Sequence, residues 1–159
     1  MSQINMKSWI SQVIQSKERM AIPIMTHPGI ELTGKSVYEA VTNGKIHFEA
    51  IKALYDRYPS AATTVIMDLT VEAEAFGASI TFPENEVPSV TCRLVTDYES
   101  VKTLEIPDLG KGRITEYLKA NELTAEYVKD RPVFAGCIGP YSLAGRLFDM
   151  TEIMIAIYT

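Results

Sequence analysis

Three short apolar runs limit what this chain can fold into more than any other feature of it. They are Met20-Ala21-Ile22-Pro23-Ile24-Met25, Thr63-Thr64-Val65-Ile66-Met67 and Pro132-Val133-Phe134-Ala135-Gly136-Cys137-Ile138. Each is too short for a typical helix, and each ends in turn chemistry or a single polar residue. The closures are Thr26-His27-Pro28-Gly29, Asp68 and Gly139-Pro140. Strands buried on both faces read as continuous apolar runs of this kind. Helical patterns separate them. In 3–17, Met6, Ile10, Val13 and Ile14 form one stripe. Ser36 and Glu39 have the spacing of a capping box. Beyond Gly44, Phe48, Ile51, Tyr55 and Tyr58 make a second stripe that Pro59 ends. The segment 70–76 reads as a short helix with Gly77 at its left-handed end. Within 79–95, two alternating segments flank the loop Pro83-Glu84-Asn85-Glu86-Val87-Pro88 and read as short strands or extended arms. Asp97 caps a short helix, and 110–130 holds a longer one with Ile114, Tyr117, Leu118, Ala125 and Val128 facing inward. Helices resume after Pro140 and run past Asp149. This alternation implies an α/β fold, with parallel strands joined by crossover helices. The pattern alone fits an open sheet or a barrel.

The length, 159 residues, suits a single domain over 1–159. With 47% hydrophobic residues the chain has enough apolar material for a core. The net charge of −5 argues against nucleic acid, which wants a basic face. No apolar run reaches the ~18 residues of a membrane span, and residues 1–17 lack a secretory apolar stretch. Cys92 and Cys137 stand 45 positions apart, with only His27 and His47 as histidines, so no zinc-type spacing is present. Two lone thiols suit a reducing, cytoplasmic setting. The last segment, Ile153-Met154-Ile155-Ala156-Ile157-Tyr158, is apolar and has no helix stop signal. A (β/α)8 barrel takes ~250 residues. Three strands therefore imply either a small open sheet or the front part of something larger.

In parallel α/β proteins the chemistry sits at the carboxyl ends of the strands. The candidates are accordingly Asp68, His27, Gly139, Tyr141 and Arg146. Asp68 can act as a general base or orient a polar group, and it is equally a candidate cap for the helix beginning at Thr70. His27 can bind substrate or carry a proton. Gly139 lets a ligand approach the backbone or simply turns the chain. Tyr141 lines a pocket or fills one. Arg146 reaches an anion or lies solvated. Neither G-x-G-x-x-G, G-x-x-x-x-G-K-[ST] nor G-x-S-x-G occurs.

Three blocks carry a family resemblance. Thr64-Val65-Ile66-Met67-Asp68-Leu69-Thr70-Val71-Glu72-Ala73-Glu74-Ala75-Phe76-Gly77-Ala78 resembles the strand, aspartate and helix of the uroporphyrinogen decarboxylase superfamily. Ile138-Gly139-Pro140-Tyr141-Ser142-Leu143-Ala144 resembles its G-P-F-T-L-A loop, and Gly29-Ile30-Glu31-Leu32-Thr33-Gly34 resembles the first loop of its methylcobalamin:thiol methyltransferases. Over 18–159 the resemblance implies the N-terminal portion of a (β/α)8 TIM barrel, its first three βα units, preceded by an N-terminal helix. In the decarboxylase branch an R-Q-A-G-R element binds the tetrapyrrole carboxylates. The matching stretch here, Thr26-His27-Pro28-Gly29-Ile30, has no arginine, and a tyrosine of that branch falls at Arg146. Asp68 matches the branch's aspartate. A substrate with several carboxylates needs cationic partners, so the methyltransferase branch fits better.

That branch implies methyl transfer from a methylated corrinoid protein, with methylcobalamin chemistry, to a thiol such as coenzyme M. Its zinc ligands, an H-x-C pair and a later cysteine, lie in a second barrel half and have no counterpart here. Two alternatives stand beside it: a uroporphyrinogen decarboxylase, and a non-catalytic half-barrel that binds a partner. Further expectations are three adjacent parallel strands centred near Ile24, Ile66 and Phe134, and a cleft shared by His27, Asp68 and Gly139. An uncovered apolar face would invite self-association or a second barrel half.

Overall fold

The structure is a computed structural model that describes residues 4–24 and 27–158. Helix α1, Met6–Gln15, begins at Asn5, whose side chain accepts from the Ser8 N–H. It lies over the start of the sheet. Its Trp9 indole N–H donates to the Ala61 carbonyl at 3.2 Å, and its ring meets Phe134 edge-on at 5.8 Å. Helices α2 (His27–Thr33), α3 (Val37–Thr42) and α4 (Gly44–Arg57) follow. The Ser36–Glu39 capping box starts α3, and Asn43 ends it and caps α4 by accepting from Lys45 and Ile46.

Strand β1, Thr63–Thr64, pairs in parallel with β4, Val133–Phe134. Between them come α5 (Val71–Ala75), an antiparallel pair β2 (Ile80–Thr81) and β3 (Ser89–Val90), α6 (Tyr98–Lys102) and α7 (Ile114–Tyr127). Two helices follow β4: α8 (Pro140–Leu147) and α9 (Met150–Tyr158).

The second and third apolar runs are thus parallel neighbours, as expected, and 79–95 forms a short hairpin. The first run differs from the expectation. Residues 20–24 form no strand, and Met25 and Thr26 lie outside the described residues. The run still passes beside β1: the Ala61 N–H donates to the Ala21 carbonyl at 2.9 Å and the Thr64 hydroxyl to the Pro23 carbonyl at 2.7 Å. Pro23 has no N–H, so a regular ladder cannot continue through it. A second difference is local. His27-Pro28-Gly29 starts α2 instead of forming a loop, with Pro28 in the first turn, where its missing N–H costs nothing.

Two apolar clusters form. One gathers Ile30, Ala40, Val41, Ala50 and Ile66, with Phe82 packed against it. The other gathers Ala73, Ala78, Val95 and Leu147 with residues of the hairpin. The Leu147 carbonyl accepts from both Leu94 and Val95, which ties α8 to the arm. Ile66 packs with Ala50 of α4, and Trp9 meets Phe134, so both have a covering neighbour. Ile24 and Met67 are exposed, and α9 has no buried residue. Among the described residues, no helix is long and apolar enough to cross a membrane.

Candidate functional site

Asp68 follows β1 by four residues, and its side chain is only 2% exposed. Both carboxylate oxygens are engaged. Oδ1 accepts from the Thr70 backbone N–H at 2.8 Å and from the Thr70 hydroxyl at 2.7 Å, and Oδ2 accepts from Arg113 at 2.5 Å. The i to i+2 bond is an Asx turn, so Asp68 shapes the chain as well as charging it.

Arg113 is the centre of this network. Its guanidinium also donates to Glu74 Oε2 at 2.6 Å, to the Thr70 hydroxyl at 2.7 Å and to the Val41 carbonyl at 3.3 Å. It stacks over the Phe82 ring at 4.6 Å. Burial opposes its charge, but the Asp68 and Glu74 carboxylates outweigh this and hold its pKa above the ordinary arginine value. Gly112 delivers Arg113 to this position. Its φ of 57° is left-handed, and a Cβ there would press on the Glu74 side chain.

Glu72, one helical step from this cluster, accepts from the Ile138 N–H at 3.0 Å. The acidic helix after β1 is thereby bound to the loop after β4. A cavity of about 320 Å³ opens between them. Its walls include Asp68 and Glu72, the segment 135–138, and Ile114, Tyr117, Leu118 and Asn121 of α7. Leu118, expected to face inward, is half exposed.

Behind the cavity, His47 is 1% exposed, and its Nε2 accepts the Ile66 N–H at 2.9 Å. Its ring meets Tyr117 edge-on at 4.8 Å. Burial lowers its pKa to about 4; the Asp68 carboxylate pulls the other way and His27 adds to the lowering. A histidine whose folded pKa is depressed stabilises the fold above its unfolded value, near 6.5, and loses that contribution as pH falls through the folded value. Stability therefore drops by about 3 kcal/mol between pH ~6.5 and ~4 from this residue. Urea midpoints across that window check it, and His47→Leu flattens the dependence. Burial, with the Asp68 charge beside it, pushes the Tyr117 phenol well up.

The structure brings Asp68 and the loop 136–138 together, but it does not place all the candidate residues around one cleft. Gly139 caps α8 just beyond the cavity wall. Tyr141 is half exposed on the first turn of α8. Arg146 is exposed and lines a different cavity with Cys92 and Arg93. Five helical residues turn the chain by about 140° past a full circle, so Tyr141 and Arg146 point apart. His27 opens α2, and neither of its ring nitrogens has a hydrogen-bond partner among the described residues.

Sequence reasoning missed Arg113, Thr70, His47, Tyr117 and Asn121. The one available signal was the Gly110-Lys111-Gly112-Arg113 turn ahead of a helix, which marks a side chain delivered by special backbone geometry.

Comparison with known proteins agrees with this architecture. The chain is 35% identical over 107 residues to "Methylcobamide:CoM methyltransferase MtbA" of Methanosarcina acetivorans. It is 36% identical over 107 residues to the protein of the same description from Methanosarcina mazei. Each match covers 60% of this chain and 32% of the relative, so the matched part spans about a third of those proteins. A solved structure described as a methyltransferase from Methanosarcina mazei superposes with a TM-score of 0.75 at 23% identity, over 96% of this chain and 48% of that one. The pattern of the uroporphyrinogen decarboxylase (URO-D) family matches residues 18–159. With nearly its whole length matched, the chain belongs to the uroporphyrinogen decarboxylase family.

Proposed function

We propose that this chain is the front part of a (β/α)8 methyltransferase, which moves a methyl group from a methylated corrinoid protein to a thiol such as coenzyme M. The observation that carries the reading is its identity with two methylcobamide:CoM methyltransferases. The cavity beside Asp68 agrees with it. No lysine, arginine or histidine lines that cavity, and the nearby Arg113 is taken up by Asp68 and Glu74. A tetrapyrrole with several carboxylates would find no partner there.

In the transfer, the thiol sulfur forms a bond to the methyl carbon. The carbon–cobalt bond would break with its electron pair left on cobalt, and the thiol proton would pass to solvent water. Asp68, held by Thr70 and Arg113, contributes a fixed negative charge at the strand mouth. His27, Gly139, Tyr141 and Arg146 belong to the surrounding surface that substrate or partner meets. Zinc does not fit this chain. Among the described residues no three His, Cys, Asp or Glu side chains gather to hold a metal, and both cysteines are exposed free thiols. Any zinc would lie on residues of a second barrel half. The setting for this chemistry is the cytoplasm.

The test is a donor–acceptor assay on the longest form of the protein its gene encodes. With free methylcobalamin and coenzyme M, the methylcobalamin absorbance should decay in step with loss of free thiol. Decarboxylation of a uroporphyrinogen without thiol consumption would replace this reading with the decarboxylase one.

A further inference from the structure

Most of the wall of the cavity between β1, β4 and α7 is hydrocarbon, with Ile66, Val71, Leu109, Ile114 and Leu118 among its residues. The Tyr117 hydroxyl and the Asn121 oxygen are closed off from this space. Asp68 is spent on Thr70 and Arg113. Glu72 differs from all three. Its Oε1 accepts from the Ile138 N–H at 3.0 Å, which fixes the carboxylate against the 135–138 wall. Its Oε2 has no hydrogen-bond or ion-pair partner among the described residues, and it is not sealed from solvent.

The charges around this carboxylate do not balance. Asp68, Glu72 and Glu74 bring three negative charges, and the cation among them, Arg113, is paired with Asp68 and Glu74. No lysine, arginine or histidine lines the cavity. A carboxylate against hydrocarbon with no cation beside it is poorly solvated. A charge-assisted hydrogen bond from an ammonium group relieves this. About ten waters would fill the cavity at ~30 Å³ each. Most would touch only hydrocarbon, and poorly held water is readily displaced by an apolar group. An anion meets the wrong sign of charge here.

We infer that this cavity is a binding site for a small primary amine, taken as its ammonium ion, with a compact apolar body. The ammonium donates to Glu72 Oε2, and the body displaces water from Ile66, Leu109, Ile114 and Leu118. The inference is independent of the methyltransferase reading, because what is measured is binding rather than turnover.

Benzylamine is the probe. Benzyl alcohol keeps its shape without the charge, and benzoate reverses the charge. Calorimetric titration of the 159-residue chain at neutral pH should show saturable binding of benzylamine at a stoichiometry of one. Benzyl alcohol should bind at least about tenfold more weakly, and benzoate more weakly still. Glu72→Gln keeps an acceptor for the Ile138 N–H and removes the charge. It should weaken benzylamine about tenfold and leave benzyl alcohol within about twofold. Glu126→Gln, at an exposed position of α7, removes the same charge elsewhere and should leave both affinities as they are. Leu118→Trp, at a half-exposed position, fills the cavity and should abolish binding of both with Glu72 intact. That variant and the comparison of amine with alcohol decide the matter even if Glu72→Gln fails to fold. Equal affinity for benzylamine and benzyl alcohol, unchanged benzylamine affinity in Glu72→Gln, binding that survives Leu118→Trp, or no saturable binding of benzylamine would each overturn the inference.

Discussion

Replacing Arg113 with methionine should cost about 3–5 kcal/mol of stability, as expected when one partner of a buried ion pair is removed. Methionine fills much of the same volume, so the loss comes from charge and hydrogen bonds. Asp68 would keep its Thr70 bonds but lose its cation, in a site where its side chain is 2% exposed. Glu74, at 24%, has some water to turn to. Arg113→Lys should recover less than half of the loss. A single ammonium cannot reach Asp68, Glu74, Thr70 and the Val41 carbonyl together, as the planar guanidinium does. Arg113→Met combined with Asp68→Asn should be milder than Arg113→Met alone, since the stranded charge goes with its partner. Urea unfolding of the four proteins reads this directly. A cost under about 1 kcal/mol for Arg113→Met would mean that the network is solvated, like a surface pair.

Gly44→Ala should be comparably damaging, by about 3 kcal/mol or more. On propensity alone alanine is the better helix residue by about 1 kcal/mol, so the expected sign is set by packing. At this position α4 and α7 touch backbone to backbone. A Cβ on Gly44 would overlap the Glu116 carbonyl oxygen, and the Gly44 N–H already donates to the Glu116 carboxylate at 2.6 Å. Gly139→Ala is the matched control. Its φ of −72° suits any residue and nothing lies within 4 Å of a new Cβ, so its change should stay within about 0.5 kcal/mol. Thermal or urea melts of the two variants separate the cases. A stable Gly44→Ala protein would show that the two helices can move apart cheaply.

Much of this architecture was legible because local signals and long-range packing agree. The Ser36 capping box, the Asp97 cap, the two short strands within 79–95 and the apolar runs at β1 and β4 are all written in short patterns. The reading failed at 20–29, where an apolar run looked like a strand and Pro28-Gly29 looked like its end. Local composition could not show that Pro23 breaks the ladder, or that Gly29 is needed where α2 meets the Ala50 backbone of α4. For the candidate site, Asp68 could be read because it closes an apolar run. Arg113 lies 45 residues away in sequence and meets Asp68 only through the fold. No periodicity encodes such a pairing. The same holds for His47, which reads as one helical residue among several until its ring accepts the Ile66 N–H.

Among the described residues two apolar clusters form, and the Arg113 network touches both. The Val41 carbonyl belongs to a residue of one cluster, and Glu74 neighbours Ala73 of the other; Arg113 holds both. One link between the halves is therefore an ion, beside the segment 80–82, whose Phe82 packs on one cluster and whose Ile80 packs on the other. At neutral pH the chain should melt in one transition that is the same by fluorescence and by far-ultraviolet circular dichroism. In Arg113→Met, where this link is gone, the two probes should part company, and the cluster around Leu147 should come undone separately from the one around Ile66.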